Sequence, residues 1–359
     1  MTVANEPRTG SQDRSEDSAS GDALGSEAVL PARGPVRRLF SGTPVYIFLF
    51  DVLLVAGFTI LSPNHVFWSW GNEEAVMGNA SEAFLLAAGA TVMLAAGAFD
   101  LSLGANVILS SVAGGILLEH MTNQTTLDAS AAGCLLAVLV CVATGGTVGF
   151  VNGFLITKLR VNSLIATLGT TGICTGLAFL FVHGADITGL PTNLQEDFGL
   201  NYIEYVPPPT FIALVILLWF WVVLRFSRYG MRTLAIGSNR ASAERAGVFV
   251  GRHIHTLMIL GGLMAGLAGF FDIARLGTTD TTGHTLDSLA ALTAVVVGGT
   301  PLHGGRANMF GTLWGAVLAY VILDGLIVMG LSTFYQEVAT GSVLIIAVAI
   351  DANRARRRE

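Results

Sequence analysis

Two short stretches carry most of the chemistry this sequence offers. Gly97-Ala98-Phe99-Asp100-Leu101-Ser102-Leu103-Gly104 drops a carboxylate, a hydroxyl and two glycines into a long apolar run. Gly298-Gly299-Thr300-Pro301-Leu302-His303-Gly304-Gly305-Arg306 interrupts a later one. A broken helix exposes backbone N–H and C=O groups that lipid cannot satisfy, so it is tolerated only against protein or a water-filled cavity. An acid at the centre of a membrane helix costs about 2.5–3.5 kcal/mol, which keeps Asp100 off the lipid. Two roles suit it: an N-cap for the helix that follows, where a carboxylate meets free N–H groups, or a contact with substrate or ion. Asp51, Asp272 and Asp324 are further acids within or at the ends of apolar runs. Asp272 stands three residues before Arg275, and a local i,i+3 pair accounts for it. Asp51 and Asp324 have no evident partner and read as pathway residues or interface caps.

The two stretches echo each other at a shift of 201, pairing Gly97 with Gly298, Leu101 with Leu302 and Gly104 with Gly305. The echo continues as Gly114 with Gly315 and Leu117 with Leu318. Corresponding glycine-interrupted segments in two halves are a pointer to a repeat-built transporter. Glycines at 145, 149 and 153, at 262 and 266, and at 311 and 315 form G-x-x-x-G steps, which predict close helix packing within the chain.

A third stretch, between residues 225 and 252, carries six arginines. Within it Asn239 is a natural N-cap, Ala241 to Ala246 favour helix, and Gly247 is a natural stop. Such a helix has fewer than three turns and is too short to be stable alone, which points to docking on a partner.

Other chemistries are missing. Cys134, Cys141 and Cys174 lie in apolar runs without a C-x-x-C and read as small buried residues. His253 and His255 are two apart and point to different helix faces, so no metal site is expected. Nucleophile-elbow and zinc-protease motifs do not occur, and no catalytic residue is expected. The single lysine, Lys158, follows Thr157 rather than a glycine, so the chain has no Walker A loop to cradle ATP.

The elements that position these residues follow from composition. Of 359 residues, 52% are hydrophobic and 12% charged, against about 25% charged in a soluble domain; mean hydropathy is +0.65. Soluble enzymes are excluded, and a net charge of −6 argues against nucleic-acid binding. The expected fold is an all-α polytopic transmembrane bundle with broken helices and a partial internal repeat. About ten spans are predicted, near 44–62, 80–99, 104–120, 131–153, 164–183, 209–226, 254–275, 286–299, 307–329 and 337–351. Residues 1–40 form a disordered tail by composition, 41–352 the membrane domain with a cytoplasmic loop at 227–253, and 353–359 a basic tail. The positive-inside rule places both termini and the 225–252 arginines in the cytoplasm. It leaves 184–208, with Asp186, Glu196, Asp197 and Glu204, outside.

The chain resembles the ribose-type inner-membrane permeases of ATP-binding-cassette sugar importers over about 45–351. The likeness rests on 97–104, on Asn152-Gly153-Phe154-Leu155-Ile156-Thr157-Lys158-Leu159-Arg160-Val161, on Ile165-Ala166-Thr167-Leu168-Gly169, on Ala274-Arg275-Leu276, and on 298–305. Ala98 replaces a family glycine and Asn162 a family proline. The resemblance implies a membrane dimer of two permease copies, two cytoplasmic ATPase subunits that use ATP and magnesium, and an external sugar-binding protein. It implies no cofactor bound to the permease itself. Gly237, Asn239, Ala241, Glu244, Ala246 and Gly247 would then belong to the segment that seats in the ATPase. Asp100, Ser102, Gly104, Gly298, Gly299, Thr300, Gly304 and Gly305 would shape the broken helices near the pathway. The loops 184–208 and 276–286 would face the binding protein. A stand-alone transporter coupled to protons or sodium would share the breaks but has no ATPase to dock.

Overall fold

A computed structural model describes residues 43–122, 128–201 and 206–332, together with 334–335, 338–339, 341–343, 345–346 and 348–349. The expected tails at 1–40 and 353–359 lie outside these residues, as does part of the expected span 337–351.

Among the described residues, eight helices are long and apolar enough to cross a membrane. They are α1 (Thr43–Leu61), α2 (Trp70–Ala95), α3 (Leu103–Met121), α4 (Ala131–Thr157), α5 (Ser163–Phe181), α6 (Pro208–Phe226), α9 (Val250–Leu276) and α11 (Met309–Val328). Between α6 and α9 stand α7 (Arg228–Ser238) and α8 (Arg240–Arg245), and before α11 stands α10 (Asp287–Val297). At 1.5 Å per residue the 11 residues of α10 reach only about 16 Å, half of a hydrocarbon core of about 30 Å. The expected span at 286–299 is therefore a half-helix.

Helix α2 is the centre of the bundle. Leu85, Leu86, Ala87, Ala88, Met93 and Leu94 are almost wholly buried on successive positions around it, as expected of a helix apolar on every side. The long helices α4 and α9 cross where glycine meets glycine. A methyl group on Gly145 would overlap the Gly262 carbonyl, and one on Gly149 the Met258 carbonyl. The G-x-x-x-G steps thus serve packing inside the chain. Cys141 fills the notch left by Gly114, and all three cysteines are free thiols.

Helix α9 separates two faces. At its start lie α7, α8 and the arginine-rich loop. At its end the segment 277–286 is laced to the acidic loop: Thr279 N–H donates to Ile187 O (3.0 Å), Leu190 N–H to Gly277 O (3.2 Å) and Thr281 N–H to Asp186 Oδ1 (2.9 Å). The described parts of these two loops are thus in direct contact.

Candidate functional site

The first break runs from Ala96 to Ser102, and side chains from three other helices satisfy it. Leu101 N–H donates to Thr167 Oγ1 (3.1 Å), while Thr171 Oγ1 donates to Leu101 O (3.0 Å), both from α5. Asn152 of α4 donates to Ser102 Oγ (2.8 Å). Gly104 N–H donates to Ser288 Oγ at the head of α10 (2.8 Å). Asp100 accepts from Ser102 N–H (2.8 Å) and Ser102 Oγ (2.6 Å). The residue at the N-cap position is Ser102, with no side-chain cap of its own. The Asp100 carboxylate holds that start from two residues upstream, in an Asx turn.

The second break, Gly298 to Asn308, is held mainly by backbone. Gly304 and Gly305 both have positive φ, +80° and +81°, in the left-handed region that only glycine adopts without strain. Gly305 N–H donates to Ala95 O (2.9 Å), which ties the second break to the end of α2. Gly304 lies against Gly97 N and Leu94 O. Asn308 donates to Gly298 O (2.9 Å) and accepts from Gly311 N–H (3.1 Å), while Thr300 Oγ1 accepts from Asn308 N–H (3.1 Å). The two echoing stretches therefore touch, although their letters do not share a conformation: Gly104 lies inside α3, whereas Gly305 lies in a turn.

The arginine-rich segment lands on this meeting point. A Cβ on Gly237 would overlap the Ala95 carbonyl and the Gly305 amide, and Ser238 lies against Gly305. Helix α7 is fixed to α9 by Thr233 Oγ1 and His253 Nε2 (2.8 Å) and by the Tyr229 ring over His253 (4.2 Å between centroids). Burial pushes the Tyr229 phenol up to about 12. Beyond α7, Asn239 accepts from Ser242 N–H (2.9 Å), and Gly247 ends α8 with φ +83°. Around this cap Asn239, Ala241, Glu244, Ala246 and Gly247 are all exposed. An exposed six-residue helix is thus rigidly linked, through Gly237, to both breaks.

Of the expected pathway residues, Asp100, Ser102, Gly104, Gly298, Thr300 and Gly304 are buried, Gly305 is half-buried and Gly299 is exposed. They shape the breaks. A cleft of about 470 Å³ opens instead between α4 and α5, lined among others by Thr144, Thr147, Thr170 and Cys174 and by no residue of the first break.

Two expectations about acids change. Arg275 does not pair with Asp272 but reaches α2, donating to Glu82 Oε1 (3.0 Å) and to Asn79. Asp324 is not partnerless, because Asn72 donates to it (2.7 Å). Asp51 is buried with neither oxygen hydrogen-bonded among the described residues. Glu82, in the same apolar run as Asp100, escaped sequence reasoning, and no local signal marks it. In the 277–286 segment, burial raises the Asp280 carboxyl pKa, but the amides of Thr282 and Gly283, together with His284 and the Thr282 hydroxyl, outweigh it and leave a net depression.

Residues 74–348 match the family described as the branched-chain amino acid transport system / permease component. The chain belongs to this family. It is 36% identical over 273 residues to the ribose import permease protein of Bacillus subtilis, covering 75% of this chain and 81% of that protein. It is 29% identical over 325 residues to the galactose/methyl galactoside import permease protein of Escherichia coli K12, covering 87% and 95%. The D-allose transport system permease protein of the same strain is 29% identical over 304 residues, covering 85% and 90%. No solved structure matches.

Proposed function

We propose that this permease forms the membrane pathway of an ATP-driven importer for a monosaccharide or related polyol. The observation that carries the reading is the junction at Gly237, where the arginine-rich segment abuts both broken helices. A partner that pulls on α8 moves α7, and α7 cannot move without shifting Ala95 and Gly305. That partner is a cytoplasmic ATPase, which uses ATP and magnesium; the permease contributes no nucleotide site. Both termini and the arginines then lie in the cytoplasm, and the chain sits in the cell membrane. An external sugar-binding protein docks on the linked 184–190 and 277–286 segments.

A second copy completes the pathway. Gly169, Gly172 and Gly176 of α5 have nothing against them among the described residues, and they adjoin the cleft between α4 and α5. Bare glycine faces suit close helix approach, so the second copy is assigned to this side.

The test is reconstitution. Vesicles holding the permease and its ATPase, with binding protein added, are expected to accumulate labelled pentose or hexose only when ATP is supplied. Uptake driven by a proton or sodium gradient without ATP would overturn the proposal.

A further inference from the structure

Between the broken helices and the acidic loop lies a buried cluster of charge that transport as described above does not use. Glu82 sits 13 residues before the end of α2, about 20 Å along the helix from the Gly237 junction. Beside it stand Asp272 and Arg275 of α9 and His284, just ahead of α10. Asp272 is fully buried, Glu82 is 3% exposed and His284 6%.

The arrangement is unbalanced in two ways. Three carboxylates, Glu82, Asp272 and Asp287, share the cluster with one guanidinium, Arg275, whose ion pair is with Glu82 (3.0 Å), while Asp287 faces His284. With His284 neutral, two negative charges are left over, Asp272 fully buried and Asp287 half-buried, and a buried charge needs a partner. Polar atoms are also unmatched. Neither oxygen of Asp272 has a hydrogen-bond partner among the described residues, and neither has His284 Nε2. These atoms nonetheless converge, Nε2 lying 3.2 Å from Asp272 Oδ1 but out of line for a hydrogen bond.

We propose that Glu82, Asp272 and His284 form a binding site for one first-row divalent metal ion. Their ligand atoms lie within 4.8 Å of one another. A separation of 3.2 Å matches the edge of a tetrahedron with metal–ligand bonds of about 2.0 Å. The other ring nitrogen, His284 Nδ1, is 2.7 Å from Asp287 Oδ2. A carboxylate on the far nitrogen orients a metal-binding imidazole and raises its basicity, which gives Asp287 its role. An imidazole among the ligands favours zinc-like ions over magnesium or calcium, which prefer oxygen alone. One divalent ion with a neutral imidazole also cancels the two excess charges. Held there, the ion ties α2, α9 and the 277–286 segment together. The site does not depend on which substrate the permease carries or on what drives it.

The test uses the tag-free full-length permease in detergent, stripped with a chelator and titrated with zinc chloride alone. The expected result is one zinc per chain, with a rise in thermal unfolding temperature. His284→Gln should abolish stoichiometric binding, and Asp287→Asn should weaken it about 10–100-fold, as loss of an outer-sphere partner does. His120→Gln, at an exposed histidine away from the cluster, should bind as the parent does. Cobalt(II) loaded into the unmutated protein gives a readout that needs no variant: intense visible bands are expected from a four-coordinate N/O site. Failure of the parent to bind zinc stoichiometrically would overturn the proposal. So would unchanged binding by a folded His284→Gln, or only the weak bands of hydrated cobalt.

Discussion

The two breaks solve one problem with different materials. At the first, side chains imported from α4, α5 and α10 satisfy the exposed backbone, with Asp100, Ser102 and Asn152 forming a buried chain. At the second, backbone meets backbone: Gly305 on Ala95, Gly304 on Gly97, and Gly298 packed under Gly311. A polar network has direction and strength but tolerates modest volume changes at its edges. A backbone joint has almost no polar side chain to lose, and no room for a methyl group. The first break is thus a fixed anchor, and the second a close-fitting joint that an outside segment can press on.

The comparison is broken most severely at Gly237, which belongs to neither break yet fits against both. Gly237→Ala drives a Cβ into the Ala95 carbonyl and the Gly305 amide. Overpacking costs about 1–3 kcal/mol. Strain of that size on the transport step slows uptake about fivefold to 150-fold. We expect membrane insertion to be retained and ATP-dependent sugar uptake to fall by that factor in the reconstituted system. Uptake within twofold of the parent, in a correctly inserted variant, would mean that the joint does not transmit motion.

How much of this was legible in the sequence depended on the distance between partners. The spans follow from hydropathy, and the cap of α8 could be read because Asn239 and Gly247 act within one turn of the helix they bound. Helix α7 could not be read. Gly230 and Gly237 look like helix breakers, yet each is there because another backbone lies against it, Leu224 in one case and Ala95 in the other. The i,i+3 spacing of Asp272 and Arg275 offered a local pair, but the guanidinium is taken by Glu82, 193 residues away. The half-helix α10 also depends on tertiary context. Its apolar letters resemble a span, but the turn around His284 delays its start, and Gly298 and Gly299 end it.

Asp100 tests the other side of the comparison. Asp100→Ala removes the acceptor for both the amide and the hydroxyl of Ser102, two groups in a buried setting. An unsatisfied buried group costs about 1–3 kcal/mol, and we expect a loss of that order in the unfolding free energy measured in detergent. Asp100→Asn keeps an amide oxygen as acceptor, so it should lose clearly less. If alanine and asparagine destabilise equally, the hydrogen bonds are not what holds the first break. An equal loss in uptake but none in stability would instead assign Asp100 to the substrate rather than to the helix start.

The smallest effect sharpens the contrast, because Asn308, whose own N–H is held by Thr300, is the side chain that makes two bonds to backbone at the second break. It caps α11 by accepting from Gly311 N–H and closes the joint by donating to the Gly298 carbonyl. Asn308→Ala loses both, yet the Gly304 and Gly305 contacts survive, so the cost should be that of a lost cap, about 1 kcal/mol. Asn308→Asp separates the two functions: the carboxylate still caps α11, but it has no donor for Gly298 and turns a negative charge toward that carbonyl. If the joint rests on backbone, the alanine variant should lose less than Asp100→Ala in the same thermal or denaturant assay. The aspartate variant should then fall close to the alanine one, its retained cap offset by repulsion at Gly298. An alanine loss as large as that of Asp100→Ala would show that the second break also hangs on side chains. The distinction between anchor and joint would then fail.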